Sequence, residues 1–190
     1  MKYRAVFLVA CVIGALAAPP AVAQSLPLGG VDLSGWNTVA AAAARNETAQ
    51  VESLLASGKR SDDPDTDGQT ALGYAANFGN VEMTQALLNY HAPVDQRDQF
   101  GNAPLHWAAQ RGSIRVIQLL LDAKAPIDAQ NKQGMTPLMM AASLGKAAAV
   151  RLLLEHGADL QKQDYTGRDA MGWAEGKASV LQVLRAAKPS

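Results

Sequence analysis

Gly68, Gly101, Gly134 and Gly167 stand 33 residues apart, and several other features keep the same interval. Leu72, Leu105, Leu138 and Met171 follow four residues behind the glycines. The pairs Ala75-Ala76, Ala108-Ala109 and Ala141-Ala142 hold this register, as do Leu87-Leu88, Leu120-Leu121 and Leu153-Leu154. A period of this length marks stacked units, each of which buries its apolar face only against a neighbour. Within a unit the pattern is helical. A polar Asp/Gly segment makes a turn, and Pro104 or Pro137 opens a helix where a missing N–H costs nothing. Small alanines on one face then permit close helix approach. Gly79, Gly112 and Gly145 interrupt the chain, and a second amphipathic helix runs to the Leu-Leu pair. Beyond it the repeat positions are Gly58, His91, Lys124 and Gly157, a left-handed capping slot in which glycine is unstrained and lysine is not.

The segments "DQFGNAPLHWAAQRGSIRVIQLLLDAKAPIDAQ" and "NKQGMTPLMMAASLGKAAAVRLLLEHGADLQKQ" resemble ankyrin repeats, whose pattern D-x-x-G-x-T-P-L-H-x-A-A-x-x-G ends in L-L-x-x-G-A-D. The unit before them fits with Ala71 and Gly73 in place of Pro and His. The last unit lacks two residues between its helices, as a terminal cap does. The resemblance implies an all-α solenoid of about five helix-turn-helix repeats with short β-turn or hairpin connections. The expected organisation is a signal peptide over 1–23, a flexible segment over 24–32 and a degenerate capping repeat over 33–64. Repeats follow over 65–97, 98–130 and 131–163, with a truncated capping repeat and tail over 164–190.

The N-terminus reads as an export signal. Lys2 and Arg4 precede an apolar run from Ala5 to Ala18, then Pro19-Pro20 and an Ala21-Val22-Ala23 cleavage site. The run is too short for a permanent membrane helix, which needs roughly 20 residues. "LVAC" ending at Cys11 resembles a lipobox and offers lipidation as the alternative, but the apolar run continues past it into the A-x-A site. Cleavage after Ala23 and a periplasmic location are expected. Cys11 is the sole cysteine, so the remaining chain has no disulfide and depends on its apolar core. The 17 basic residues, which include Lys2 and Arg4, match 17 acidic ones, and nothing in that balance favours nucleic acid or an anionic membrane.

Two stretches imitate chemistry. Asp63, Asp65, Asp67 and Gly68 spell the opening of a calcium loop, but the twelfth position, which should be a bidentate Glu, is Tyr74. Asp65 and Gly68 also fall in the repeat register. His106 beside Trp107 could be a base or a ligand, yet no second ligand stands at suitable spacing. In the family it resembles, this histidine is a structural hydrogen-bonding residue. No nucleophile elbow, HExxH, P-loop or dinucleotide fingerprint is present, so neither an enzyme nor a cofactor is expected.

The resemblance implies a protein partner on the concave face, met by turn tips and the first helix of each repeat. Tyr74, Trp107, Met140 and Trp173 form a ladder at the 33-residue period, open to two readings: packing between repeats, or anchors for a partner. Phe78, Phe100, Arg111, Met135, Leu144 and Tyr165 occupy positions the family leaves variable. Together they would make an apolar patch with a polar border. The chain is therefore read as resembling small exported, periplasmic bacterial ankyrin-repeat proteins. It is expected to be monomeric and non-catalytic and to act as a stress-protective adaptor. The alternative is an immunity or inhibitor protein that blocks one toxin or enzyme.

Overall fold

The computed structural model describes residues 38–187. The expected signal peptide, the Cys11 lipidation site, the segment 24–32, the start of the first repeat and the last residues of the tail lie outside the described residues. Among the described residues ten helices follow one another as five pairs: α1 (Val39–Ala44) and α2 (Thr48–Ala56), α3 (Ala71–Phe78) and α4 (Val81–Asn89), α5 (Pro104–Arg111) and α6 (Ile114–Asp122), α7 (Pro137–Ser143) and α8 (Ala147–Glu155), and α9 (Ala170–Trp173) and α10 (Ala178–Ala187). The first helices pack in sequence, α1 on α3, α3 on α5, α5 on α7 and α7 on α9, while the second helices form a parallel layer behind them. The alanine pairs explain the close first layer, because Ala75, Ala76, Ala108, Ala109, Ala141 and Ala142 are all fully buried. Between the layers lie Leu72, Leu105 and Leu138 from the first helices and Leu87, Leu120 and Leu153 from the second. One apolar seam therefore runs through all the units, as the leucine register requires.

Each first helix starts at a cap. Thr70 Oγ1 accepts the Gly73 N–H at 3.1 Å, Thr136 Oγ1 accepts that of Met139 at 3.3 Å, and Asp169 Oδ1 accepts that of Gly172 at 2.8 Å. Satisfying such an orphan donor contributes about 1 kcal/mol. At α5 the capping position is Ala103, which has no acceptor. There the Ala103 N–H donates at 3.1 Å to Nδ1 of His106, a side chain three residues inside the helix.

The connections are turns rather than hairpins, and no strand occurs among the described residues. Each closes on itself, as when the Gly101 N–H donates to the Asp98 carbonyl and the Asp98 N–H to that of Asn102. Neighbouring turns are joined by single backbone bonds from Gln99 N–H to Asp67 O, Lys132 N–H to Phe100 O and Tyr165 N–H to Gln133 O. The close approach needs a glycine. A Cβ on Gly134 would lie 2.7 Å from the Tyr165 nitrogen, and the residue's φ is +79°. The capping slot after the second helices is left-handed in all four units, with φ of 83° at Gly58, 57° at His91, 67° at Lys124 and 88° at Gly157. His91 and Lys124 hold a conformation that an L-residue adopts at a cost.

Candidate functional site

The turn end of the first helices is closed by hydrogen bonds. Asp98 Oδ1 accepts the N–H groups of Phe100 and Asn102 at 2.8 and 2.9 Å, and its Oδ2 accepts Trp107 Nε1–H at 3.0 Å. Asp164 repeats the arrangement with Thr166, Arg168 and Trp173, whose Nε1–H donates at 2.9 Å. Burial opposes ionisation of Asp164, but these donors together outweigh it and hold the carboxyl down at about 2. Asp65 serves its own turn in the same way, and the Tyr74 hydroxyl donates to its second oxygen. Burial and then Asp65 raise the Tyr74 phenol to about 12. The residue that stood in the calcium position of the sequence is thus the donor that occupies the aspartate.

The remaining unit shows the rule by exception. Its turn residue is Asn131 and its ladder residue is Met140, which has nothing to donate. Asn131 turns its amide to Asn102 Oδ1 at 2.9 Å instead. Aspartate therefore pairs with a ring that carries a donor, and asparagine with methionine. Tyr74, Trp107 and Trp173 are partly buried and packed on the core, and Met140 is also half-buried. Arg168 lies over the Trp173 ring, 4.7 Å from its centroid. At Tyr74, Trp107 and Trp173 the ladder fastens the helix to its turn.

His106 belongs to the same closed end. It is fully buried, with Nδ1 accepting from Ala103. That leaves Nε2–H to donate to the Met135 carbonyl of the next unit at 3.1 Å. Burial lowers its pKa to about 4, so at neutral pH the ring is uncharged and spans two repeats. Among the described residues no group of three or more His, Cys, Asp or Glu is placed to hold a metal.

The other end of these helices is open. Residues four apart share a helix face, so Tyr74 leads to Phe78, Trp107 to Arg111 and Met140 to Leu144. The ladder thereby continues into a second row at the helix C-termini, and an eight-residue helix places that row about 12 Å from the turns. Phe78 is 40% exposed and Leu144 48%, and Arg111 is exposed as well. Arg111, Leu144 and Lys146 line one cleft of about 360 Å³ with Asn77 and Gln110. Phe100 and Tyr165 are exposed on the turn tips, at the opposite edge. Met135, expected on the same surface, is a correction: at 8% exposure it packs into the core beneath its turn, and its carbonyl receives His106.

Two features escaped sequence reasoning. Gln130 Nε2 donates to the carbonyls of Gly134 at 2.8 Å and Gln163 at 2.9 Å, and Arg97 makes the matching pair of bonds to Gly101 and Gln130. The 33-residue spacing of Arg97, Gln130 and Gln163 was the available signal, but these long polar side chains look like ordinary surface residues. Tyr90, at the C-cap of α4, and Ile114, at the start of α6, are also exposed, where no family pattern drew attention to them.

The family model described as ankyrin repeats (3 copies) matches residues 38–131 and 123–189. No curated protein matches the chain.

Proposed function

The chain belongs to the ankyrin-repeat family, and on that premise we propose that it is an exported scaffold that binds a protein partner through the face of its first helices. Ankyrin repeats are generally protein–protein interaction modules and typically non-catalytic. The observation that carries the reading is the contrast within one face. The aspartates and ring donors of the turn end are bonded to one another, and the side chains exposed on its tips, Phe100 and Tyr165, are out of repeat register, whereas Phe78, Arg111 and Leu144 stand exposed at repeat spacing. A scaffold has no packing use for an exposed phenylalanine and leucine at matching positions, and a partner does. Stacked helices hold these side chains in advance, so little ordering entropy opposes binding. Lys2 and Arg4, the apolar run and Ala21-Val22-Ala23 support export to the periplasm.

Within this reading the protein is a stress-protective adaptor. Affinity capture from the periplasm with the exported chain tests it. Wild type is expected to retain partners that the Phe78→Ala/Leu144→Ala variant releases, with helicity unchanged. Equal capture by both would remove the assigned face. A single protein held one-to-one would mark an inhibitor of that protein instead of an adaptor.

A further inference from the structure

The open end of the first helices carries charge as well as apolar surface, and its cations are placed by the fold. The left-handed glycines that end these helices leave notches filled from the next repeat. The Arg111 side chain reaches back over Gly79, where an added Cβ would lie 3.4 Å from its Cγ. The Lys146 stem covers Gly112, with Cδ only 2.9 Å from such a Cβ, and Lys177 covers Gly145 at 3.5 Å. Phe78, Arg111 and Leu144 keep the repeat spacing at the ends of neighbouring first helices, and Arg111, Lys146 and Lys177 cover the glycines there, so the five residues belong to one edge of the first-helix layer. The cleft shared by Arg111, Leu144 and Lys146 confirms their adjacency.

Among the described residues no carboxylate makes an ion pair with this strip. The ion pairs among the described residues are those of Arg45 with Glu47 and of Arg60 with Asp62 and Asp63, all in the first unit and the loop after it. The aspartates of the turns lie at the other end of the helices and are occupied by their own donors. Glu175, which continues the row beyond Leu144, stands at its C-terminal limit. Three cations with apolar side chains between them, their stems held against a neighbouring backbone, complement a ligand that alternates carboxylates with apolar groups. A nucleic acid fits less well, since so few cations interrupted by Phe78 and Leu144 would neutralise few phosphates.

Resting on the reading of this face as the docking surface, we infer that the partner segment seated on the strip is an acidic peptide with interspersed large apolar side chains. Its carboxylates meet Arg111, Lys146 and Lys177, and its apolar groups meet Phe78 and Leu144.

The test is selection of a random displayed peptide library on residues 24–190, followed by binding of the enriched peptides as synthetic fluorescent probes. Enriched sequences are expected to carry net negative charge with Leu, Ile, Phe or Trp. Binding should weaken on the order of tenfold between low and high salt. The Arg111→Glu/Lys146→Glu variant should lose at least about tenfold in affinity, with unchanged circular dichroism and melting temperature. Neutral or basic peptides that still depend on Phe78 and Leu144 would overturn the charge assignment and leave the docking face standing. Failure to enrich any peptide that depends on either pair would overturn both. Tighter binding of a single-stranded oligonucleotide than of the peptides, or self-association of the chain through Phe78 and Leu144 in sedimentation, would also overturn the inference.

Discussion

The two ends of the same first-layer helices differ in what their side chains have left to give. At the turn end Asp98, Asp164 and Asp65 each accept from their own turn and from the ring nine residues later, and His106 uses both of its nitrogens. At the opposite end Phe78 and Leu144 are exposed, and Arg111, Lys146 and Lys177 enter no ion pair among the described residues. Substitutions at the two ends should therefore separate stability from binding. A helix only two turns long can hold both functions because residues four apart share a face while serving different neighbours.

The largest separation is expected between His106→Ala and Arg111→Ala. The first leaves a cavity at a fully buried site and two backbone groups without partners, and should cost about 3 to 4 kcal/mol in urea unfolding. The second removes an exposed side chain and should stay within about 0.5 kcal/mol. Equal losses would erase the distinction between the ends. Acid should act on the closed end through His106. His106 has a folded pKa of about 4 against an ordinary 6.5, so between those values the unfolded chain binds the extra proton. Stability is then full above pH 6.5 and declines as pH falls through the window, by roughly 3 kcal/mol. A His106→Gln variant, compared with wild type by thermal melting at several pH values, should lose that slope.

Trp107→Phe keeps the ring and removes the donor to Asp98, for an expected loss of about 1.5 kcal/mol in the same unfolding experiment. Asp98 would then stand as Asn131 does opposite Met140, without a ring donor. A smaller effect, of opposite sign, lies outside both ends. Lys124→Gly relieves a left-handed residue at φ 67° and should raise stability by about 1 kcal/mol, seen as a higher denaturation midpoint.

The repeat architecture was legible because it rests on periodic apolar residues. The Ala-Ala and Leu-Leu pairs fix which faces meet, and the positive φ of His91 and Lys124 follows from their register with Gly58 and Gly157. The site was legible only in part. Periodicity places Met135 at a variable surface position but does not reveal that its unbranched side chain turns inward under the turn. The ladder looked equally suited to packing and to binding. Its first task became visible only once Asp98 and Trp107, nine residues apart, were seen as a hydrogen-bonded pair. The strip of Arg111, Lys146 and Lys177 was hidden for another reason. It depends on side chains from one repeat lying over glycines of the previous one, and no single repeat encodes that.

The central claim is that partners contact the open ends of α3, α5 and α7. Hydrogen–deuterium exchange on the chain with and without a captured partner tests it most directly. Added protection is expected in peptides spanning residues 76–81, 109–114 and 142–148, with the remainder of the second helices unchanged. Protection confined instead to the groove that Arg151, Leu154 and Val183 line between α8 and α10, with no change at the three helix ends, would contradict it.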